Sequence, residues 1–375
     1  MGSVAQPRPA TGPVSRLAPW LVVPAAWLAV TWVAGVRQGL LALVGLGFGA
    51  VLAATAFGFT TGWRVWLRQR DPTGLLAQFL AIGLAMLATV PLLASHPELS
   101  GAVAPLSWSL LLGAFVFGAA MQVADGCGSG TLYKAGLGHP ASIAAFPGLV
   151  IGSFLGAAHQ DWWLSWGSLP GVSLIEALGA GGAIAVQGMA LAVIGALAWR
   201  ARRATGSRWR GRGVWIGAIL LAVLGVANLV IAGQPWGIVY GPGLWGAKLV
   251  TWLGADLSGN AFWGTEARMA QIAAPVLDDV TTITDVGLLA GALLVAARRG
   301  TACPDVGAVT GRQWIAAIVA GLVLGYSSRL AFGCNVGAYF SGISSGSLHG
   351  WVWFAAAFAG STLGIRMRER LGMRG

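Results

Sequence analysis

The sequence predicts an all-α, polytopic membrane protein with about nine to eleven transmembrane helices, short re-entrant helices between some of them, and an internal pseudo-twofold repeat. Three observations carry that expectation. Of 375 residues, 56% are hydrophobic and 9% charged, against roughly 25% charged in a soluble domain. Apolar runs of about 20 residues, the length that crosses the hydrocarbon core, recur along the chain. Between some of them lie glycine-rich segments that are neither good helix nor polar loop, and these come in matching pairs.

In chain order, residues 1–16 ("MGSVAQPRPATGPVSR") are polar and read as a disordered cytoplasmic tail. The apolar segment from Leu17 imitates a signal peptide. It lacks a small-residue cleavage site leading into a soluble domain, so it reads as a retained first helix. Spans are expected at 17–36, 38–57, 73–94, 103–123, 139–159, 174–199, 213–233, 270–297, 313–331 and 348–365.

The net charge of +11 is placed for orientation rather than for nucleic acid. Arginines cluster in short connections: Arg64/Arg68/Arg70, Arg200/Arg202/Arg203 with Arg208, Arg210 and Arg212, Arg298/Arg299, and Arg366/Arg368/Arg370. Such loops mark the cytoplasmic side, which makes 200–212 a basic cytoplasmic linker. The connections His96–Gly101 and His159–Gly171 hold no Lys or Arg and face outward; Trp162, Trp163 and Trp166 in the second suit an interfacial belt.

Two stretches repeat a pattern. One runs Gly118, Gly126-Cys127, Gly130, Gly152-Ser153-Phe154-Leu155-Gly156; the other runs Gly325, Gly333-Cys334, Gly337, Gly360-Ser361-Thr362-Leu363-Gly364. The leading glycine precedes the Gly-Cys pair by eight residues in both, and the cysteine precedes the next motif glycine by three. From cysteine to the Gly-Ser-x-Leu-Gly box is 25 residues in one and 26 in the other. A looser match pairs 49–66 with 225–245. The expected halves are 17–199, carrying an extra N-terminal helix, and 213–370; charge leaves open whether they are inverted or parallel. Interrupted apolar segments at equivalent places in two halves point to a transporter's central site.

Non-helical backbone at membrane depth is tolerated where it is buried in protein or lines a wet cavity. Gly126, Gly128, Gly130, Gly333 and Gly337 would open such breaks, and a half-helix starting there aims N–H groups and a positive dipole end at an anion. Cys127 and Cys334 would add one thiol from each half. A thiol is a weak donor and a soft atom, which suits a substrate carrying its own sulfur better than sulfate or phosphate. The plainer alternative makes the glycines packing positions and the thiols small hydrophobes.

The chain has two lysines, Lys134 and Lys248, both at edges of glycine-rich segments; they either attract an anion or snorkel to the interface. Arg329 is open to the same two readings. Asn335 offers an amide to a bound oxygen or caps a helix, and Trp236, in "GQPWGIVYGPGLWGAK", belongs to the candidate site. Asp278, Asp279 and Asp285, interleaved with Thr281, Thr282 and Thr284, suggest a cation site, a proton relay or a polar turn at a helix start. Cys303 lies in a basic loop as an incidental thiol, and His96, His139, His159 and His349 show no metal spacing. No nucleotide fingerprint stands in a strand–helix context. The expectation is a non-enzyme without metal or cofactor.

The segments "DGCGSGTLYKAGLG", "GQPWGIVYGPGLWGAK" and "RLAFGCNVGAYFSGISSGSLHGWVW" resemble the hallmark boxes of the YeeE/YedE family of bacterial inner-membrane proteins, over about residues 40–368. The resemblance implies a multi-pass, hourglass-like protein with pseudo-symmetric halves in the bacterial inner membrane. It further implies that short helices dip to the middle, where cysteines pass thiosulfate by S–H···S contacts. The matching cysteines are Cys127 and Cys334; Gly58, in "AFGFTTGWR", stands where thiosulfate transporters of this type carry a third. Another sulfur species or a selenium analogue fits the same chemistry. Family analogy also implies a cytoplasmic sulfurtransferase partner. The competing expectations are a membrane sulfurtransferase component carrying sulfane sulfur as a cysteine persulfide, and a scaffold whose Gly-Cys boxes only pack helices.

Overall fold

A computed structural model describes residues 13–203, 211–299 and 310–373; Cys303, most of the basic 200–212 linker and most of the 1–16 tail lie outside them. The described chain is almost entirely helical. It contains α1 (Pro13–Ala34), α2 (Val36–Thr55), α3 (Phe59–Gln69), α4 (Thr73–Ser95), α5 (Trp108–Val123), α6 (Gly128–Gly136), α7 (Pro140–Ala158) and α8 (Gln160–Leu164). There follow α9 (Leu174–Arg200), α10 (Arg212–Ala232), α11 (Tyr240–Trp252), α12 (Glu266–Ala273), α13 (Val280–Arg299) and α14 (Gly311–Leu330). A π-helical stretch Asn335–Phe340 leads into α15 (Ser341–Ser344) and α16 (Leu348–Arg370). The only strands among the described residues are β1 (Leu106–Ser107) and β2 (Ser168–Leu169), paired antiparallel.

Eight helices or helix pairs among the described residues are long and apolar enough to cross a membrane. Alongside them, α1 contributes the shorter apolar stretch Ala18–Ala34, and α16 is as long as α4 but ends in charged residues. Large apolar side chains such as Trp32, Leu197 and Trp252 remain on the outer surface, as expected where the solvent is lipid. The protein is a multi-pass membrane protein.

The expected span at 270–297 is divided. Pro275 has no N–H to continue the ladder and biases Ala274 toward extended backbone; Ala274 has φ −64° and ψ 156°. The chain turns there between α12 and α13.

Helix breaks organise the rest. Four long helices, α2, α5, α10 and α14, run into a residue of left-handed backbone: Ala56 (φ 51°), Asp125 (φ 59°), Gly233 (φ 70°) and Phe332 (φ 57°). That conformation costs an L-residue about 1–2 kcal/mol, so three of the breaks store strain that the surrounding packing must hold. After each break the chain resumes as a short helical piece: α3, α6, α11, or the π-helical stretch with α15.

The long helices press together along glycine seams. A Cβ on Gly118 of α5 would lie 2.0 Å from the carbonyl oxygen of Ala357 on α16, and one on Gly325 of α14 would lie 2.3 Å from that of Leu149 on α7. Along α7, Gly148, Gly152 and Gly156 meet α14 near Ile318, Leu322 and Tyr326, so these two helices run parallel. Gly360 and Gly364 of α16 meet Phe115 and Ala119 of α5, also in parallel. Gln313 at the start of α14 donates to the Gly372 carbonyl just beyond α16, while Gln160, just beyond α7, donates to the Arg329 carbonyl near the end of α14. The molecule therefore has one end near Arg368 and another near Arg329.

Candidate functional site

The breaks converge between these ends. Cys127 caps α6 with φ −80° and ψ −165°, and Cys334 precedes the π-helical stretch with φ −91° and ψ −168°. The two cysteines thus hold the same extended conformation at the head of a short helical piece. Both are buried, at 1% and 0% exposure. They are neighbours: a Cβ on Gly128 would lie 3.1 Å from Cys334 Sγ and 3.3 Å from side-chain carbons of Ile238 and Val239. Any side chain at Gly128 would press on the other thiol and on the segment before α11. Cys127 Sγ also lies 3.4 Å from Ser129 Oγ.

The remaining glycines serve the same junction. Gly126 lets the chain double back against Gly130 and Thr131, where a Cβ would sit 2.9 Å from backbone. Gly333 has φ 152° and equally little room against Ala338. A Cβ on Gly337 would meet nothing within 4 Å. The first N–H groups of α6 have no partner within their helix by construction. Asn335 is fully buried, and neither its Nδ2 nor its Oδ1 has a hydrogen-bond partner among the described residues. Such a group costs about 1–3 kcal/mol unless something polar meets it. Trp236 stacks on Phe48 at 3.7 Å between ring centroids and meets Phe340 edge-on, and its indole N–H is likewise buried and unpartnered among the described residues.

Toward the Arg368 end, a narrow cleft continues from Cys127 past Gly58, Thr60, Thr61, Asp125 and Lys134. Asp125 takes three cations. Its Oδ1 accepts from Arg64 Nη2 at 2.6 Å and lies 3.4 Å from Arg368 Nη1; its Oδ2 accepts from Lys134 Nζ at 2.6 Å. Lys134 also donates to the Asp125 carbonyl. Arg64 Nε donates to Gln122 Oε1 at 3.0 Å, and Arg368 Nη1 donates to the Gln122 carbonyl at 3.1 Å. One carboxylate against three cations leaves two positive charges in excess. Arg64 and Arg368 are 4% and 7% exposed, so two arginines expected to serve as loop charges are buried beside the cysteine.

At the Arg329 end, the Arg329 and Arg268 guanidinium groups lie 5.2 and 5.0 Å from the ring centre of Phe262 and 5.5 and 4.8 Å from that of Tyr240. A cavity of about 250 Å³ is lined by Gln160, Phe262, Arg329, Phe332 and His349, and Phe332 lies two residues before Cys334. Lys248 belongs to this end and is committed to structure. Its ammonium donates to the carbonyls of Gln271 and Ile272 at 2.7 Å each and to that of Ala274, capping α12 where Pro275 ends it.

The structure thus gathers Cys127, Cys334, Gly126, Gly128, Gly130, Gly333, Gly337, Asn335 and Trp236 around one junction, with Lys134 beside it; Lys248 stands apart. Asp279 makes a polar turn at the start of α13, one of the three readings open to these acids, its Oδ2 accepting from the Thr282 N–H and hydroxyl at 2.7 Å each. No cluster of His, Cys, Asp or Glu among the described residues could hold a metal. Sequence reasoning missed Asp125, Arg64 and Arg368 as site residues. The available signal was an acid directly before Gly126-Cys127 in a chain with 12 acids.

Buried polar breaks held by four helix–break–helix units define a polytopic α-helical membrane protein of broken-helix type. Comparison with known proteins narrows this: residues 54–363 match the sulphur transport family, and the chain belongs to it. It is 27% identical over 342 residues to the thiosulfate transporter TsuA of Spirochaeta thermophila, an alignment covering 83% of this chain and 92% of that protein. It is 46% identical over 50 residues to the probable transporter YedE of Escherichia coli, and 42% identical over 52 residues to that of Salmonella typhimurium. Those two matches span 13% and 14% of this chain and only 12% and 13% of the YedE proteins.

Proposed function

We propose that the protein carries a small sulfur-containing anion, best thiosulfate, across the bacterial inner membrane, passing it between Cys334 and Cys127 through S–H···S contacts. The observation that carries this reading is that Cys127 and Cys334 head matching helix breaks, with Cys334 Sγ packed closely against Gly128, the residue after Cys127. The 250 Å³ cavity with Arg329 receives the anion. The unpartnered Asn335 amide and the N-terminal end of α6 meet its oxygens, and the excess positive charge around Asp125 receives it past Cys127. Soft sulfur contact then selects cargo against sulfate.

An inverted twofold relation between the halves is part of the proposal. Its support is that α5 and α14 each lead into a Gly-Cys break and each packs parallel to the closing helix of the other half. A persulfide handed from these cysteines to a soluble partner is disfavoured by their burial. A cytoplasmic sulfurtransferase remains a candidate recipient of released cargo.

The test is uptake of labelled thiosulfate into proteoliposomes. Cys127→Ala and Cys334→Ala are expected to abolish it while the purified protein stays monodisperse. Cys→Ser at either position, which keeps volume and loses soft sulfur, is expected to leave only a small remnant. Full uptake by both alanine variants removes the relay.

A further inference from the structure

One buried acid has no part in the pathway described above. Asp285, in the second turn of α13, is 0% exposed, and neither carboxyl oxygen has a hydrogen-bond partner among the described residues. Its Oδ2 lies 3.1 Å from where a Cβ on Gly241 would stand, so the carboxyl is wedged against the first turn of α11. Ile238 and Val239, directly before α11, are the side chains packed with Cys334 around Gly128. The acid therefore sits beside the segment that closes the two-thiol junction.

Groups of opposite charge on the surrounding elements are engaged elsewhere. On α2, Arg37 donates to the carbonyls of Ile231 and Ala232, and Gln38 to that of Asp278. On α6, Lys134 is held by Asp125, with Tyr133 the other titratable group. On α11, Lys248 caps α12 and the Tyr240 hydroxyl contacts Gln271. Ahead of α13 lie two further acids, Asp278 and Asp279, and α1 contributes no titratable residue between Ala18 and Ala34.

A cation other than a proton would need several converging oxygens. The neighbouring Thr282 hydroxyl already binds Asp279 and Trp245, and that of Thr284 donates to the helix backbone. An unpaired carboxylate in such surroundings is costly, whereas the neutral acid is tolerated. The group is suited to exist in one charge state when enclosed and another when water reaches it.

We propose that Asp285 is a proton carrier that couples passage of the anion to a proton gradient. The carboxylate takes a proton when its pocket opens to one side. It crosses the enclosed state as the neutral acid and returns the proton to water on the other side, in step with movement of the α11 segment at the cysteines. This rests on the transport reading and adds its energy source.

The experiment uses the full chain in proteoliposomes with the membrane potential clamped at zero and a pH-sensitive dye inside. Thiosulfate counterflow, which needs no gradient, reports transport itself. A proton gradient of one unit, acid outside, is expected to drive about tenfold accumulation if one proton moves per anion, since one unit is a tenfold ratio. Thiosulfate-dependent acidification of the lumen should accompany it. Asp285→Asn is expected to keep counterflow and lose both gradient-driven accumulation and the dye signal. Asp285→Glu, which retains a titratable group, is expected to keep both with a displaced pH profile, and it serves as the readout should the Asn variant fail to fold. Counterflow by the unaltered protein, with neither accumulation nor luminal acidification under the imposed proton gradient, overturns the coupling and leaves the transport reading standing; absence of counterflow overturns both. Gradient-driven accumulation surviving in Asp285→Asn, or an unshifted profile in Asp285→Glu, removes Asp285 from the role.

Discussion

Gly128 shows how much of the site depends on a missing atom. A methyl group there would press on Cys334 Sγ at 3.1 Å and on Ile238 and Val239 at 3.3 Å, tighter than ordinary contact at about 3.5–4.0 Å. Gly128→Ala is therefore expected to slow thiosulfate uptake by about tenfold, equivalent to ~1.4 kcal/mol, while the melting temperature moves little because the neighbours can yield by a few tenths of an ångström. Uptake at the unaltered rate would mean that the cysteines need not stay in register. Gly128 could be singled out in the sequence because it follows one of two Gly-Cys pairs that repeat at one spacing, although Asn335 holds its place in the second. Asp125 could not be, since its three cations come from residues 64, 134 and 368, and no local pattern announces a cluster assembled from three distant segments.

Among elements, the glycine seams hold the long helices at a separation that a side chain would widen. Gly118→Ala and Gly325→Ala each place a Cβ within 2.3 Å of a backbone carbonyl oxygen on the facing helix. Backbone cannot move aside as a flexible side chain does, so each is expected to cost about 1–3 kcal/mol, read as a lowered melting temperature in detergent; an unchanged value would show that the seam is not tight. Most helices were legible because apolar length is a strong signal, and the expected bounds fall within a few residues for spans such as 73–94 and 313–331. The division at Pro275 had a signal in the proline itself, but α4 and α7 run through Pro91 and Pro147, so a proline alone did not decide it. Lys248, which completes the end of α12, comes from another helix. The left-handed residues Ala56, Asp125 and Phe332 were equally hidden, since none is a glycine.

At the scale of the whole molecule, helices distant in sequence pack across each other: α5 lies along α16, and α14 along α7. Neither the segment before 204 nor that after 210 can then bury its seams alone. Cutting the chain within 204–210 and producing the pieces separately is expected to give insoluble or degraded protein, whereas co-production yields a copurifying, uptake-competent pair. Stable separate pieces would argue against this interlocked packing. The three cations around Asp125 carry a different consequence. Arg64, Lys134 and Arg368 outnumber their resident acid by two, so a passenger bearing two negative charges would render that berth electrically neutral on arrival. A singly charged ion would leave it unbalanced, giving that cluster a preference by valence that operates independently of sulfur.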